Sequence, residues 1–247
     1  MGHIAELLPS TLGERVAASN RDSLNGSQQY VIWESRAIQN DYEMVPCQCA
    51  STCWCAQHGC QGHYRLKPIT FEQFLDRYVQ LWAPPNARQI LKQAVLDNAK
   101  FEGRQRRAVP PLQWLGEHWD MVVTQVRSHT RSGLCDEGVP VITESVTHLY
   151  DAKMWSQLYY DGIVPFDTSS RALMKRLGFV DPLKDFTAFN RQLFADLRIF
   201  AERRGLSVNE LRRLDQPWTL TTEIPEPPGG QPLSRLLDKI FYSPTKK

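Results

Sequence analysis

Ile163-Val164-Pro165-Phe166-Asp167-Thr168-Ser169-Ser170-Arg171-Ala172-Leu173-Met174-Lys175-Arg176-Leu177-Gly178 is the most informative stretch of the chain. An apolar run ends in an Asp-Thr pair, and the basic segment that follows ends in glycine. Asp accepts hydrogen bonds from the unpaired N–H groups of a first helical turn, and Gly supplies the left-handed residue that often follows a last one. The spacing predicts one compact helix from Asp167 to Gly178. As a plain cap, Asp167 would contribute about 1 kcal/mol.

The same punctuation recurs on both sides. Thr70-x-x-Gln73 forms a capping box ahead of Phe71, Phe74, Leu75, Tyr78, Val79 and Trp82. Pro84-Pro85 ends that helix, and Asn86 is expected to cap a second with Ile90, Leu91, Ala94 and Val95 on one face. Pro110-Pro111 opens a third, with Leu112, Leu115, Trp119, Val122, Val123 and Val126 at helical spacing. A loop spans 127–139, and a helix from about Thr143 runs through Val146, Leu149 and Leu158 and ends before Gly162. Asp185 is expected to cap a long helix closed by Gly205, with an apolar stripe of Phe189, Leu193, Phe194, Leu197 and Phe200. Ser207-x-x-Glu210 is another capping box, Pro225–Pro232 reads as a linker, and Ser234–Phe241 as a terminal helix. Two-residue alternation is nearly absent, so the predicted fold is mostly α.

Length and composition are those of an ordinary globular protein of 247 residues, with 42% apolar and 23% charged residues. No run approaches the roughly 18 apolar residues of a membrane span. The start, Met1-Gly2-His3-Ile4, lacks a basic region followed by a long apolar one, so a cytoplasmic protein without a membrane partner is expected. The net charge of +2 is uninformative, but basic residues cluster at 100–107, 171–176 and 198–213. Together these could track phosphates; separately they are solvated helix faces.

Cys47-x-Cys49-x3-Cys53-x-Cys55-x2-His58-x-Cys60-x2-His63 packs five cysteines and two histidines into 17 residues, and only Cys135 lies elsewhere. Without a secretory signal, this density reads as a metal site, not a disulfide framework. Thiolate and imidazole ligands suit tetrahedral zinc in a closed, structural site, ahead of an iron–sulfur cluster. Candidate ligands are Cys47, Cys49, Cys53, Cys55, Cys60 and His63. Four suffice for one ion, so the spacing leaves open which four bind and whether two ions share them. Trp54 and Arg65 are candidate contacts to DNA from this segment.

The Ile163–Gly178 stretch also resembles the segment that carries the catalytic aspartate in helix-hairpin-helix DNA glycosylases: apolar-Pro-apolar-Asp-Thr, then a helix with basic residues and a Leu-Gly end. The resemblance covers roughly residues 110–218. It implies a helical glycosylase-like domain in which Asp167 is the catalytic carboxylate. An anionic carboxylate beside the sugar would stabilise an oxocarbenium-like state or orient a water, once the target nucleotide has been flipped out of the duplex. The resemblance places DNA contacts at the 139–145 turn, with Val141 and Thr143, and on the following helix, with Arg171, Lys175 and Arg176. The turn has Gly138 and Pro140 but lacks the family's paired glycines, and Glu144 lies within it. The position of the family's nucleophilic lysine falls near Leu149, so a monofunctional enzyme is expected, and Ser169 stands where many members carry His.

The expected organisation is an N-terminal region, 1–66, with the metal-binding segment at 46–65; a helical glycosylase-like domain, 67–223; and a Pro-rich linker with a C-terminal helix, 224–247. The expected activity is hydrolysis of the N-glycosidic bond of a damaged or modified base in double-stranded DNA by a monomer. A glucosylated hydroxymethylcytosine of phage DNA, excised in defence, would fit the divergent turn. The alternative is a non-enzymatic, zinc-braced nucleic-acid-binding module.

Overall fold

Two short strands close the cysteine segment at its base. A computed structural model of the chain describes residues 41–103, 105–141, 149–213, 229–230 and 232–241. Strand β1 (Tyr42–Val45) pairs antiparallel with β2 (His63–Leu66), Tyr42 opposite Leu66 and Val45 opposite His63. Such a pair is marginal alone. Here Tyr42, Tyr64 and Leu66 are buried, and both tyrosine rings pack on Tyr160. Alternation puts Glu43 and Arg65 on the other face, where Glu43 pairs with both Arg65 and Arg127 at 3.1 Å.

Everything else described is helical or loop. The elements are α1 (Trp54–Gln57), α2 (Phe71–Trp82), α3 (Arg88–Leu96), α4 (Val109–Glu117), α5 (Trp119–Ser128), α6 (Leu149–Leu158), α7 (Thr168–Arg176), α8 (Phe186–Arg204), α9 (Val208–Leu211) and α10 (Leu233–Phe241). Both predicted capping boxes form, Thr70 with Gln73 and Ser207 with Glu210. All five residues of the predicted α8 stripe are buried, and one apolar core runs from Tyr42 to Leu237. Among the described residues no helix is long and apolar enough to cross a membrane.

Three expectations need correction. Asn86 does not cap α3: it lies in a 3-10 turn (Pro85–Ala87) that runs directly into the helix, whose N-cap position is Ala87. Arg88 instead donates to the Gln80 and Ala83 carbonyls at the end of α2. The predicted third helix is two, α4 and α5, broken at His118. The Trp114 carbonyl receives the His118 N–H at 3.1 Å, with His118 Nδ1 also 2.8 Å away, so side chain and backbone converge on one acceptor. Asp185 occupies the N-cap position of α8, but its carboxylate turns back to accept from the N–H groups of Val180 and Asp181. The helix start near Thr143 and most of the 225–232 linker lie outside the described residues.

Asp161 joins elements far apart in the chain. Its carboxylate accepts from Tyr64 N–H on β2 at 3.0 Å, from Leu233 N–H at the start of α10 at 2.7 Å, and from both terminal nitrogens of Arg212, just beyond α9. Asp161 and Arg212 are each only 2% exposed. Arg212 also donates to the Gly62 carbonyl at 3.2 Å. Removing one member of a buried pair leaves the other charge uncompensated, at a cost of about 3–5 kcal/mol. Asp161→Asn is therefore expected to destabilise the protein by about that amount. Urea unfolding followed by circular dichroism checks this; a midpoint within error of wild type would show that the pair does not hold the fold.

Candidate functional site

The cysteine loop rises from the β1–β2 base as a series of tight turns. Cys53 N–H donates to the Ala50 carbonyl at 2.8 Å, Cys60 N–H to Cys55 at 2.9 Å, and α1 starts immediately after Cys53. The loop is anchored from outside as well: Val208 N–H donates to the His58 carbonyl and Gln48 N–H to that of Thr130, both at 2.9 Å. These turns aim several thiols inward, where Cys55 is fully buried.

Cys47, Cys49, Cys55 and Cys135 converge so that their sulfur atoms all lie within 4.8 Å of one another, and the group could hold a metal ion. Cys47 Sγ is 3.1 Å from Cys49 Sγ and 4.0 Å from the sulfurs of Cys55 and Cys135; Cys55 and Cys135 are 3.0 Å apart. A zinc–thiolate distance of about 2.3 Å implies sulfur separations of about 3.8 Å around one tetrahedral ion; the two 4.0 Å separations match it and the others are shorter. Cys49 and Cys135 are in disulfide contact, yet their α-carbons stand 7.2 Å apart. That exceeds the usual disulfide span of roughly 4.4–6.8 Å, whereas two ligands of one ion tolerate it. The donor set therefore fits a thiophilic metal.

The electrostatics of the group are those of closely coupled thiols. The adjoining Cys55 and Cys60 thiols push Cys47 far below the ordinary thiol range, while Cys47 and Cys60 push Cys55 far above it. Cys60 is raised to about 11, chiefly by Cys47. Thiols this crowded cannot all ionise unless a cation compensates them, and a bound metal holds its ligands deprotonated. Ser132 N–H adds a contact to Cys47 Sγ at 3.3 Å.

Cys135 is the member of the group that its sequence position concealed. It sits on the 130–138 loop, and Cys135 N–H to Ser132 and Gly138 N–H to Cys135, both at 2.9 Å, fold that loop into two turns. A side chain at Gly138 would run into the Ser132 carbonyl, so close backbone approach explains this glycine. Of the other expected ligands, Cys53 lies 3.6 Å from Cys55, and Cys60 donates to the Gly62 carbonyl at 3.4 Å. His63 is beside Cys47, with Nε2 3.1 Å from the His129 carbonyl. Trp54 and Arg65, considered as DNA contacts, are engaged within the chain. The Trp54 indole donates to Glu202 at 2.6 Å and stacks on His58, and Arg65 pairs with Glu43.

Asp167 occupies the N-cap of α7. Its Oδ1 accepts from Ser170 N–H at 2.8 Å, and Ser170 Oγ accepts from Asp167 N–H at 2.9 Å, a reciprocal box. The incoming strand is pinned from two helices: Val164 N–H donates to Asn190 Oδ1 on α8 at 2.8 Å, and Phe166 N–H to Ser156 Oγ on α6 at 3.3 Å. Gly178, at φ +85°, ends the helix with Gly178 N–H to Lys175 and Phe179 N–H to Met174, at 3.2 and 3.0 Å. Lys175 and Arg176 are exposed, and among the described residues they and Arg171 have no carboxylate partner. Arg171 leans on Phe166, 6.0 Å from its ring centre. Val141 is 56% exposed, and Thr143 lies outside the described residues. The 198–213 basic cluster is thinner than its sequence implies, because Arg212 is buried and Arg198 pairs with Asp136. No family model, curated protein or solved structure matches the chain.

If Cys135 is a ligand, Cys135→Ser should weaken metal retention by more than about 100-fold, since even changes one shell out cost roughly 10–100-fold. Competition with a chromophoric chelator measures it. Retention equal to wild type would remove Cys135 from the ligand set.

Proposed function

We propose that this chain is a monofunctional DNA glycosylase whose helical scaffold is braced by a zinc–thiolate centre. The observation that carries the reading is the setting of Asp167. A half-buried carboxylate stands at a helix N-terminus, on a backbone fixed by Ser156, Ser170 and Asn190, and the same helix displays Lys175 and Arg176 without carboxylate partners among the described residues. Stabilising an oxocarbenium-like state needs an anion held still beside the sugar, so that no reorganisation is required when charge develops. The cations one to two turns along would meet the phosphates flanking an extruded nucleotide. Without a lysine at the nucleophile position, water is the attacking group and an abasic site the product. The zinc centre plays no part in this chemistry; with four thiolate ligands it is closed and structural.

The capping role of Asp167 favours a second reading. Its carboxylate already serves the α7 backbone, which is all that a non-enzymatic, zinc-braced DNA-binding module would require of it. The two readings separate on one variant. Asn caps helices about as well as Asp, so Asp167→Asn should keep the fold and remove the negative charge. With duplexes carrying damaged bases or bulky phage-type pyrimidines such as glucosylated hydroxymethylcytosine, the wild type is expected to give strand breaks only after alkali. Asp167→Asn is expected to be at least about 100-fold slower. No product from any duplex, with DNA binding equal in both proteins, would leave the binding module.

A further inference from the structure

We propose that the cavity between the 136–141 turn, Tyr159 and α8 binds a nucleotide, with Arg191 taking its phosphate and the Tyr159 hydroxyl donating to its base. This inference rests neither on the metal reading of the cysteine group nor on excision of a base.

The cavity has a volume of about 610 Å³. Small-molecule sites run from about 300 to 1,000 Å³, so a molecule of nucleotide size can enter. Val139, Pro140 and Tyr159 are buried and form its floor, while Val141 and Arg191 are exposed at its rim. The floor is preformed. A side chain at Gly162 would come within 3.2 Å of the Pro140 ring, so the turn after Tyr159 packs directly against Pro140. The Tyr159 ring stacks on Trp155 and meets His129 edge-on, at 5.8 and 5.6 Å between ring centres.

Two groups of this cavity lack partners among the described residues. Tyr159 is only 7% exposed, yet its hydroxyl makes no hydrogen bond there. A buried polar group ordinarily has one. Burial pushes this hydroxyl up to about 12, so it is a neutral donor at physiological pH. Arg191 is the second group. The two acids that line the cavity are already engaged, Asp136 with Arg198 and Glu137 with Arg131, whereas Arg191 has no carboxylate partner. The cavity therefore offers one uncompensated guanidinium, one buried donor and an apolar floor.

The ligand that complements these three features carries an oxyanion, an acceptor and a flat apolar body. A guanidinium fork matches pairs of phosphate oxygens. The carbonyl or ring nitrogen of a base can accept from Tyr159 while the rest of the ring covers Val139 and Pro140. Inorganic phosphate would satisfy Arg191 and leave the floor empty. A bare sugar phosphate would bury more hydroxyls than the floor has partners for. A second cavity of about 370 Å³ shares Arg191, Asp136 and Val139 with the first and reaches Arg198, so the cleft continues along α8 beyond the phosphate position. The nucleotide can accordingly be free or one residue of a nucleic-acid strand.

The test is isothermal titration calorimetry of the full chain with the common ribo- and deoxyribonucleoside monophosphates, with inorganic phosphate, and with short single-stranded oligonucleotides. The wild type is expected to bind at least one mononucleotide saturably, and about 10-fold or more tighter than inorganic phosphate. Arg191→Gln is expected to weaken that binding about 10-fold or more, and Tyr159→Phe about 3–10-fold, the sizes of a charge-assisted and a neutral hydrogen bond. Arg203→Gln, in the last turn of α8 and outside the cavity, is expected to leave mononucleotide binding unchanged. Phe keeps the ring packing at 159 and removes only an unpartnered hydroxyl, so that variant is expected to melt with the wild type. An oligonucleotide that binds more tightly than any mononucleotide, and is weakened by the same two variants, would identify a strand as the source. Equal affinity for the two would identify a free nucleotide. No saturable binding of either, or binding that neither Arg191→Gln nor Tyr159→Phe weakens, would overturn the proposal.

Discussion

The buried pair of Asp161 and Arg212 is the constraint on which the rest of the described structure depends. A carboxylate that is 2% exposed must have its oxygens satisfied. Asp161 meets this by drawing in β2 through Tyr64, the α9 end through Arg212, and the start of α10 through Leu233. These residues lie up to 169 positions apart, from Tyr64 to Leu233, so local propensity cannot bring them together. Arg212 extends the network to the Gly62 carbonyl, the last loop residue before β2. The base of the cysteine loop is thereby held against the helical body.

The cysteine cluster fastens the other end of that loop. Cys135 brings the 130–138 turns onto Cys47, Cys49 and Cys55, and Ser132 N–H and the Gln48–Thr130 bond reinforce the junction. Loops are ordinarily the least ordered parts of a small helical protein. Here two of them are cross-linked to each other and packed on one core, with Cys55 and Cys135 inside it. The cluster therefore stabilises the fold by joining elements remote in the chain, the role expected of an all-thiolate structural site.

The α7 entrance is built differently. Its rigidity comes from short-range groups, Asp167 and Ser170, supported by Ser156 and Asn190 from helices that pack around it. A carboxylate fixed so firmly can cap a helix and still face a ligand, and the two duties require the same immobility. The proposed chemistry therefore needs no strain at Asp167, only a partner nucleotide brought to it.

Features written in contiguous residues were legible without coordinates. The capping boxes at Thr70 and Ser207, the Asp167–Gly178 helix and the buried stripe of α8 all follow from hydrogen-bonding groups and apolar spacing within a few turns, where the chain cannot avoid its own neighbours. The density of cysteines between Cys47 and Cys60 likewise announced a converging thiol cluster that could hold a metal ion. Tertiary structure decided the rest. Cys135 has no local partner to mark it, nothing near Asp161 or Arg212 in the sequence marks them as a buried pair, and the break at His118 interrupts an apolar pattern that continues across it. In each case the deciding contact joins residues that sequence spacing does not relate, or sets a side chain against its own backbone. Only the packed chain settles which interaction prevails.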